Sequence, residues 1–199
     1  MKNRSRTLAL TGAAALVTAV IAAAPGSAVA SAPRAAAVHG AASVLYAYSP
    51  DDDIRFTVDA DAAPFTRPLD APNGERGLPT DARGKVTVYH YSPEYHVTGT
   101  SEAEVDCLVT GGRTATVTAV VTQSNTGDTG KRIGISVQDG EHGEPDRVGF
   151  SWGVANMDEK EDGTAVEARV GTCMAPAPFT TVVKGGFKVA PAPLPPLPR

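Results

Sequence analysis

From Ile54 to Val189 the apolar side chains keep returning at every second position, and this spacing limits the folds open to the chain more than any other feature. In "DIRFTVDA", Ile54, Phe56 and Val58 point one way while Arg55, Thr57 and Asp59 point the other. "KVTVYHYS" sets Val86, Val88 and His90 against Thr87, Tyr89 and Tyr91. The inward sets continue with Ile133, Ile135 and Val137, then Val148, Phe150, Trp152 and Val154, and more weakly Val182, Val183, Phe187 and Val189. Successive side chains of a strand leave opposite faces, so period two with polar residues opposite describes antiparallel sheet with one wet face. Gly, Asp, Asn and Pro clusters separate the runs, as turns require. The expectation is an all-β fold, an antiparallel β-sandwich or barrel of about 7–9 short strands. Helical spacing has one weak candidate, Met157 to Val170, which Gly163 interrupts. It reads as a single helical turn or an acidic loop.

The same alternation gives a register for "EVDCLVTGGRTATVTAVVTQ", Glu104 to Gln123. Val105, Cys107 and Val109 share one face of a first strand, and Ala115, Val117, Ala119 and Val121 share one face of a second. Residues opposed across paired strands lie on the same face of the sheet. A two-residue Gly111-Gly112 loop would oppose Cys107 to Thr116 and mix the faces. A three-residue loop, Thr110-Gly111-Gly112, opposes Cys107 to Ala115 and Val105 to Val117, with Gly112 at the left-handed position such hairpins require. That register turns Cys107 inward and Leu108, Thr114, Thr116 and Thr118 outward.

The first thirty residues follow a different logic. Lys2, Arg4 and Arg6 precede an apolar or small run, Leu8 to Ala24, and Ala28-Val29-Ala30 places small residues before a cut at Ser31. This is the layout of a secretory signal peptide, 1–30. As a membrane span the run is at the short limit of about 20 residues, and Pro25 and Gly26 interrupt it. No second apolar run follows, so no membrane span is expected after cleavage. Residues 31–42 read as a flexible Ala-rich leader and 43–189 as a single all-β domain. Within it 61–84 is a long loop rich in Pro, Gly and charge, and 190–199 is a Pro-rich tail of extended polyproline type.

The whole chain has 18 Lys and Arg against 22 Asp and Glu; residues 1–30 hold three of the bases and no acid, leaving −7 on the remainder. Clustered positive charge is what nucleic-acid binding rests on, so no nucleic-acid partner is expected. Cys107 and Cys173 are the two cysteines. In an exported chain an even count reads as a disulfide, here closing a 66-residue loop.

Four segments carry candidate chemistry. "GFSWG", Gly149 to Gly153, matches the G-x-S-x-G of nucleophile elbows, but Ser151 lies inside an alternating strand with no helix after it, and every histidine precedes it. It is read as a strand. "HYSPEYH" brings His90, His96 and Glu94 together beside Tyr89, Tyr91 and Tyr95. Two imidazoles six residues apart could converge on zinc across a turn, yet no further ligand is near. The tyrosines are the better hint, because exposed Tyr suits contacts to sugars or protein partners. Tyr89, Tyr91, Tyr95, His90 and His96 are therefore the candidate binding surface. Asp51, Asp52 and Asp53, with Asp139 and Asp146, are candidate calcium ligands if the turns gather at one end. They serve equally as turn chemistry.

Val105, Cys107, Gly111, Gly112 and Ala115 in the hairpin, Val137 and Asp139 in "V-x-D-G", Asp146 before an aromatic strand, and the closing Cys173 form a recognisable outline. It resembles the repetin-type family of small secreted actinobacterial proteins and is similar to the β-rich post-COAP type module of bacterial surface proteins. The resemblance spans about Ile54 to Val189 and implies an all-β secreted domain. It transfers no catalytic residue. The chain is thus expected to be a monomeric, extracellular binding or envelope-associated module with no cofactor and no catalytic residue. Its partner would be cell wall, polysaccharide or protein. Two alternatives stay open: a secreted hydrolase or lyase using acidic loops with His90 or His96, and a small-ligand barrel.

Overall fold

The structure, a computed structural model, describes residues 35–69, 76–153, 157–167 and 173–197. The signal-peptide reading of 1–30 and the inward Val154 lie outside these residues. Among the described residues ten strands follow one another: β1 (Ala37–Leu45), β2 (Asp53–Ala62), β3 (Ala82–Ser92), β4 (Val97–Gly111), β5 (Thr114–Ser124), β6 (Arg132–Gln138), β7 (Arg147–Ser151), β8 (Met157–Glu159), β9 (Ala165–Glu167) and β10 (Thr180–Ala190). Strands β1 to β7 each pair antiparallel with the next, and β10 closes the ring between β7 and β1. Of the two architectures expected, the chain builds the closed barrel. β8 and β9 form a separate two-stranded hairpin, so the segment expected to hold a helical turn or acidic loop is a hairpin instead. Gly163 in its turn has φ +81, a value a helix cannot use.

The inward sets pack as the alternation requires. Ile54, Phe56 and Val58, then Val86 and Val88, Ile133, Ile135 and Val137, and Val148 and Phe150 are all buried in one cluster. An eight-stranded barrel is just wide enough for its own side chains, and here Val, Ile and Phe alternate with Ala42, Ala60, Ala103, Ala115 and Ala119 to fill it. The outward residues are polar, with Arg55, Thr57, Asp59, Lys85 and Glu104 as examples. Apolar inside and polar outside is the reverse of a membrane-spanning barrel. Among the described residues no helix is long and apolar enough to cross a membrane.

Three boundary expectations change. Ala37 to Ala42, taken as loose leader, belongs to β1, where Val38 is fully buried and pairs with both Ala60 and Val189. Alanine and glycine weaken the strand signal in sequence, but pairing on both sides supplies it here. Val183 is 63% exposed, because a register shift beside Ser43 carries Val182 inward instead. Trp152 is 44% exposed, because β7 ends at Ser151.

The hairpin register is corrected as well. Gly111 pairs with Thr114, leaving a two-residue turn of Gly112 and Arg113. Gly112 has φ +56, the positive value a type II′ turn needs at its first central position. Thr110 therefore opposes Ala115 and Leu108 opposes Val117, so Leu108 is inward and Cys107 is on the outer face opposite Thr118. A bulge at Asp106 then returns Val105 and Ala103 to the core. Bulges add one unpaired residue and reverse parity, which uninterrupted alternation cannot anticipate. Cys107 is buried all the same. Thr80 and Asp81 lie against it, with the Leu108 amide donating to the Thr80 carbonyl at 3.0 Å. Cys107 is bonded to Cys173 with a Cα–Cα distance of 5.3 Å. The disulfide staples the outer face of β4 to the segment that leads into β10.

Candidate functional site

In an antiparallel barrel of sequential neighbours the turns alternate between two ends. The β1–β2, β3–β4 and β5–β6 turns, the end of β7 and the start of β10 therefore meet at one end. The described parts of the β2–β3 connection, 63–69 and 76–81, and the β4–β5 and β6–β7 turns occupy the other. Asp51, Asp52 and Asp53 lie at the first end, and Asp139 and Asp146 at the second, so the five carboxylates proposed for calcium do not gather.

Asp139 and Asp146 instead complete the barrel. β7 is five residues long and meets the eleven-residue β10 at only two positions, Thr180 with Val148 and Thr181 with Arg147. Further along β10, side-chain carboxylates take the role of the missing strand. Asp146 accepts the Phe187 amide at 2.6 Å and the Gly140 amide at 2.8 Å. Asp139 accepts the Val189 amide at 3.5 Å, the Lys188 ammonium at 2.9 Å and the Arg113 guanidinium at 2.6 Å. Burial pushes the Asp139 carboxyl up. Lys188, the Val189 amide and Arg113 outweigh it and hold the group below its ordinary value. At the same end Asp81, buried, accepts the amides of Thr66, Arg67 and Leu78 at 2.8–3.0 Å and so shapes the long loop. In sequence Asp81 is one acid among several in a charged loop, with nothing to mark it.

The opposite end carries the aromatic side chains. Trp152 continues the inward row of Val148 and Phe150 just beyond the rim. Its ring stacks on His90 with centroids 6.3 Å apart and planes 10° from parallel. On the inner side it meets Phe150 at 5.0 Å and Phe56 at 6.3 Å. Phe150 in turn touches Tyr46 and Phe179. One row of rings thus runs from core to solvent. His90 Nε2 lies 2.7 Å from Asp52 Oδ2, whose side chain is 10% exposed. A carboxylate only accepts, so Nε2 carries the proton and, in the neutral ring, Nδ1 is left as an acceptor.

Two concavities open beside this row. One of about 310 Å³ is lined by His90, Ser101, Thr126, Asp128 and Trp152. The second, of about 430 Å³, is lined by His90, Ser92, Tyr95, Val97 and Thr126. They share His90, Gly99 and Thr126 and so adjoin. The Lys131 ammonium, and then the Thr126 hydroxyl, hold Asp128 below the usual carboxylate range, so it stays ionised. A third concavity of about 610 Å³ lies along β2 to β5, with Arg55, Tyr89, Glu102 and Asn125 in its lining.

The proposed binding surface therefore divides. His90 and Tyr95 meet at the barrel end. Tyr89 is on the outer face with the Arg55 guanidinium 4.9 Å from its ring centre, and Tyr91 points the same way. His96 sits in the β3–β4 turn with φ +51, exposed. Among the described residues, neither His90 nor His96 belongs to a group of three converging donors. Among the described residues the donors that converge are His39, Asp59 and Asp61 on the outside of β1 and β2. There each imidazole nitrogen faces one carboxylate, Nδ1 to Asp59 at 2.6 Å and Nε2 to Asp61 at 3.5 Å. The Ser151 hydroxyl donates to the Gly153 carbonyl at 2.8 Å, as a strand-end serine does.

Sequence reasoning assigned Trp152 to the core and Asp52 to calcium, and passed over Tyr46 and Phe179. The signal for the first two was present as the alternation of "GFSWG" and the run "SPDDD". Their meeting required the barrel to close. No family model, curated protein or solved structure matches the chain.

Proposed function

We propose that the chain is a secreted, non-enzymatic binding module of the bacterial envelope, and that the aromatic end of the barrel is its binding face. The observation that carries this is Trp152, half-exposed and stacked on a histidine that a carboxylate holds in place. A large ring fixed at a rim by its neighbours and still 44% exposed binds at little cost in conformational entropy. Concavities near 300 Å³ and above with a few polar groups are the common form of a small-ligand site. The signal-like N-terminus and the disulfide support export. The repetin-type relationship is part of the same proposal. The test is sedimentation of the exported protein with envelope fractions from a Gram-positive cell. Wild-type protein is expected to co-sediment, and Trp152→Ala to weaken binding about tenfold or more. Equal binding by the variant, or none by the wild type, rejects the reading.

One arrangement favours a second reading, hydrolysis or elimination. His90 with Asp52, near the ionised Asp128, has the form of an oriented acid–base pair. Turnover in a broad hydrolase and lyase screen that His90→Ala abolishes would put this reading first.

A further inference from the structure

Taking the barrel end as the binding face, we infer that its ligand is an uncharged oligosaccharide, with one sugar ring on Trp152 and the next against Tyr95. The inference rests on that reading and adds the ligand class.

Three features converge on it. The first is shape. The Trp152 and Tyr95 concavities adjoin through His90, Gly99 and Thr126, so they form one channel with two aromatic stations, suited to a chain of rings more than to a single compact ligand. The second is lining. Around the rings stand the Ser92 and Ser101 hydroxyls, the Asp128 carboxylate and His90 Nδ1. Sugars present an apolar C–H face for an aromatic ring and an equatorial belt of hydroxyls for such groups. A purely apolar or lipid ligand would leave these groups unpaired in a buried contact. The third is charge. The turns at this end bring Asp51, Asp52, Asp53, Glu94 and Asp128, against Lys131 and, on β2, Arg55. Like charge across an interface is costly, so phosphate-bearing and uronic acid polymers are disfavoured and uncharged chains are not.

The chain's one tryptophan is Trp152, so its fluorescence reports on this site alone. The exported protein is titrated with chito- and cello-oligosaccharides of increasing length, with poly(glycerol phosphate), and with a synthetic peptide of residues 190–199. The expected result is a shift in Trp152 emission with one of the neutral sugar series, saturating, with affinity rising from one ring to two. Poly(glycerol phosphate) and the Pro-rich peptide are expected to have no effect. Tyr95→Ala, at a position 70% exposed and therefore harmless to folding, is expected to weaken binding of the longer sugars about tenfold. It should leave binding of the single ring unchanged. No response to either sugar series at millimolar concentration overturns the inference. So does a response to the polyanion or the peptide in their place, or a Tyr95→Ala effect equal for one ring and for several. If the envelope sedimentation succeeds while the sugars fail, the binding face stands and the ligand class falls; if both fail, both fall.

Discussion

Asp146→Ala should open the barrel along one seam. The carboxylate accepts two backbone amides, from Gly140 in the β6–β7 turn at 2.8 Å and from Phe187 at 2.6 Å, the latter on a stretch of β10 that β7 is too short to reach. Hydrogen bonds to charged groups contribute about 1.5–3 kcal/mol each, which bounds the pair at about 3–6 kcal/mol. Gly140 is only partly buried, so water replaces some of its bond and the lower end, about 3 kcal/mol, is expected. For a chain of this size that corresponds to a fall in Tm of about 6–12 °C. Asp146→Asn keeps one acceptor oxygen without the charge and should lose about half as much. The assay is equilibrium urea unfolding joined to amide hydrogen exchange. The midpoint should fall at constant m, and the Phe187 amide should lose protection before the rest of β10. Glu144→Ala, exposed in the neighbouring turn, should stay within about 0.5 kcal/mol of wild type. A similarly small change for Asp146→Ala, or a Phe187 amide that stays protected, would refute the idea that a side chain closes the barrel here.

Other expectations follow from the same contacts. Removing the disulfide by Cys107→Ser with Cys173→Ser frees a 66-residue loop and should cost roughly 4 kcal/mol on the chain-entropy account, read from urea midpoints. Asp81→Ala leaves three backbone amides without their acceptor. It should cost about 3 kcal/mol and raise cleavage next to Thr66, Arg67 and Leu78 in limited proteolysis. Asp139 titrates below its unfolded value, so its contribution is present above about pH 4 and is lost as pH falls through the lower folded value. Unfolding midpoints measured from neutral to strongly acid pH should therefore fall less steeply in Asp139→Asn than in wild type.

The sequence by itself determined the fold class and most of the lining of the core. Ile54, Phe56, Val58, Ile135 and Val137 alternate too regularly to serve any element but a half-buried strand, and each is in the core. It also determined the disulfide, because two cysteines allow one intrachain partner. It misplaced the side of the sheet on which Cys107 lies. Parity is a local rule, and the Asp106 bulge breaks it with one residue that no periodicity announces. Asp139 and Asp146 were visible as acids in a turn. Their task depends on the lengths of β7 and β10, which is a property of how far two distant strands run alongside each other. The candidate site was decided last. Asp52, His90 and Trp152 belong to three separate segments and signal nothing together in sequence. They meet because six sequential antiparallel pairings carry alternate turns to one end, and β10 then closes the ring that brings β7 round to β1 and β2.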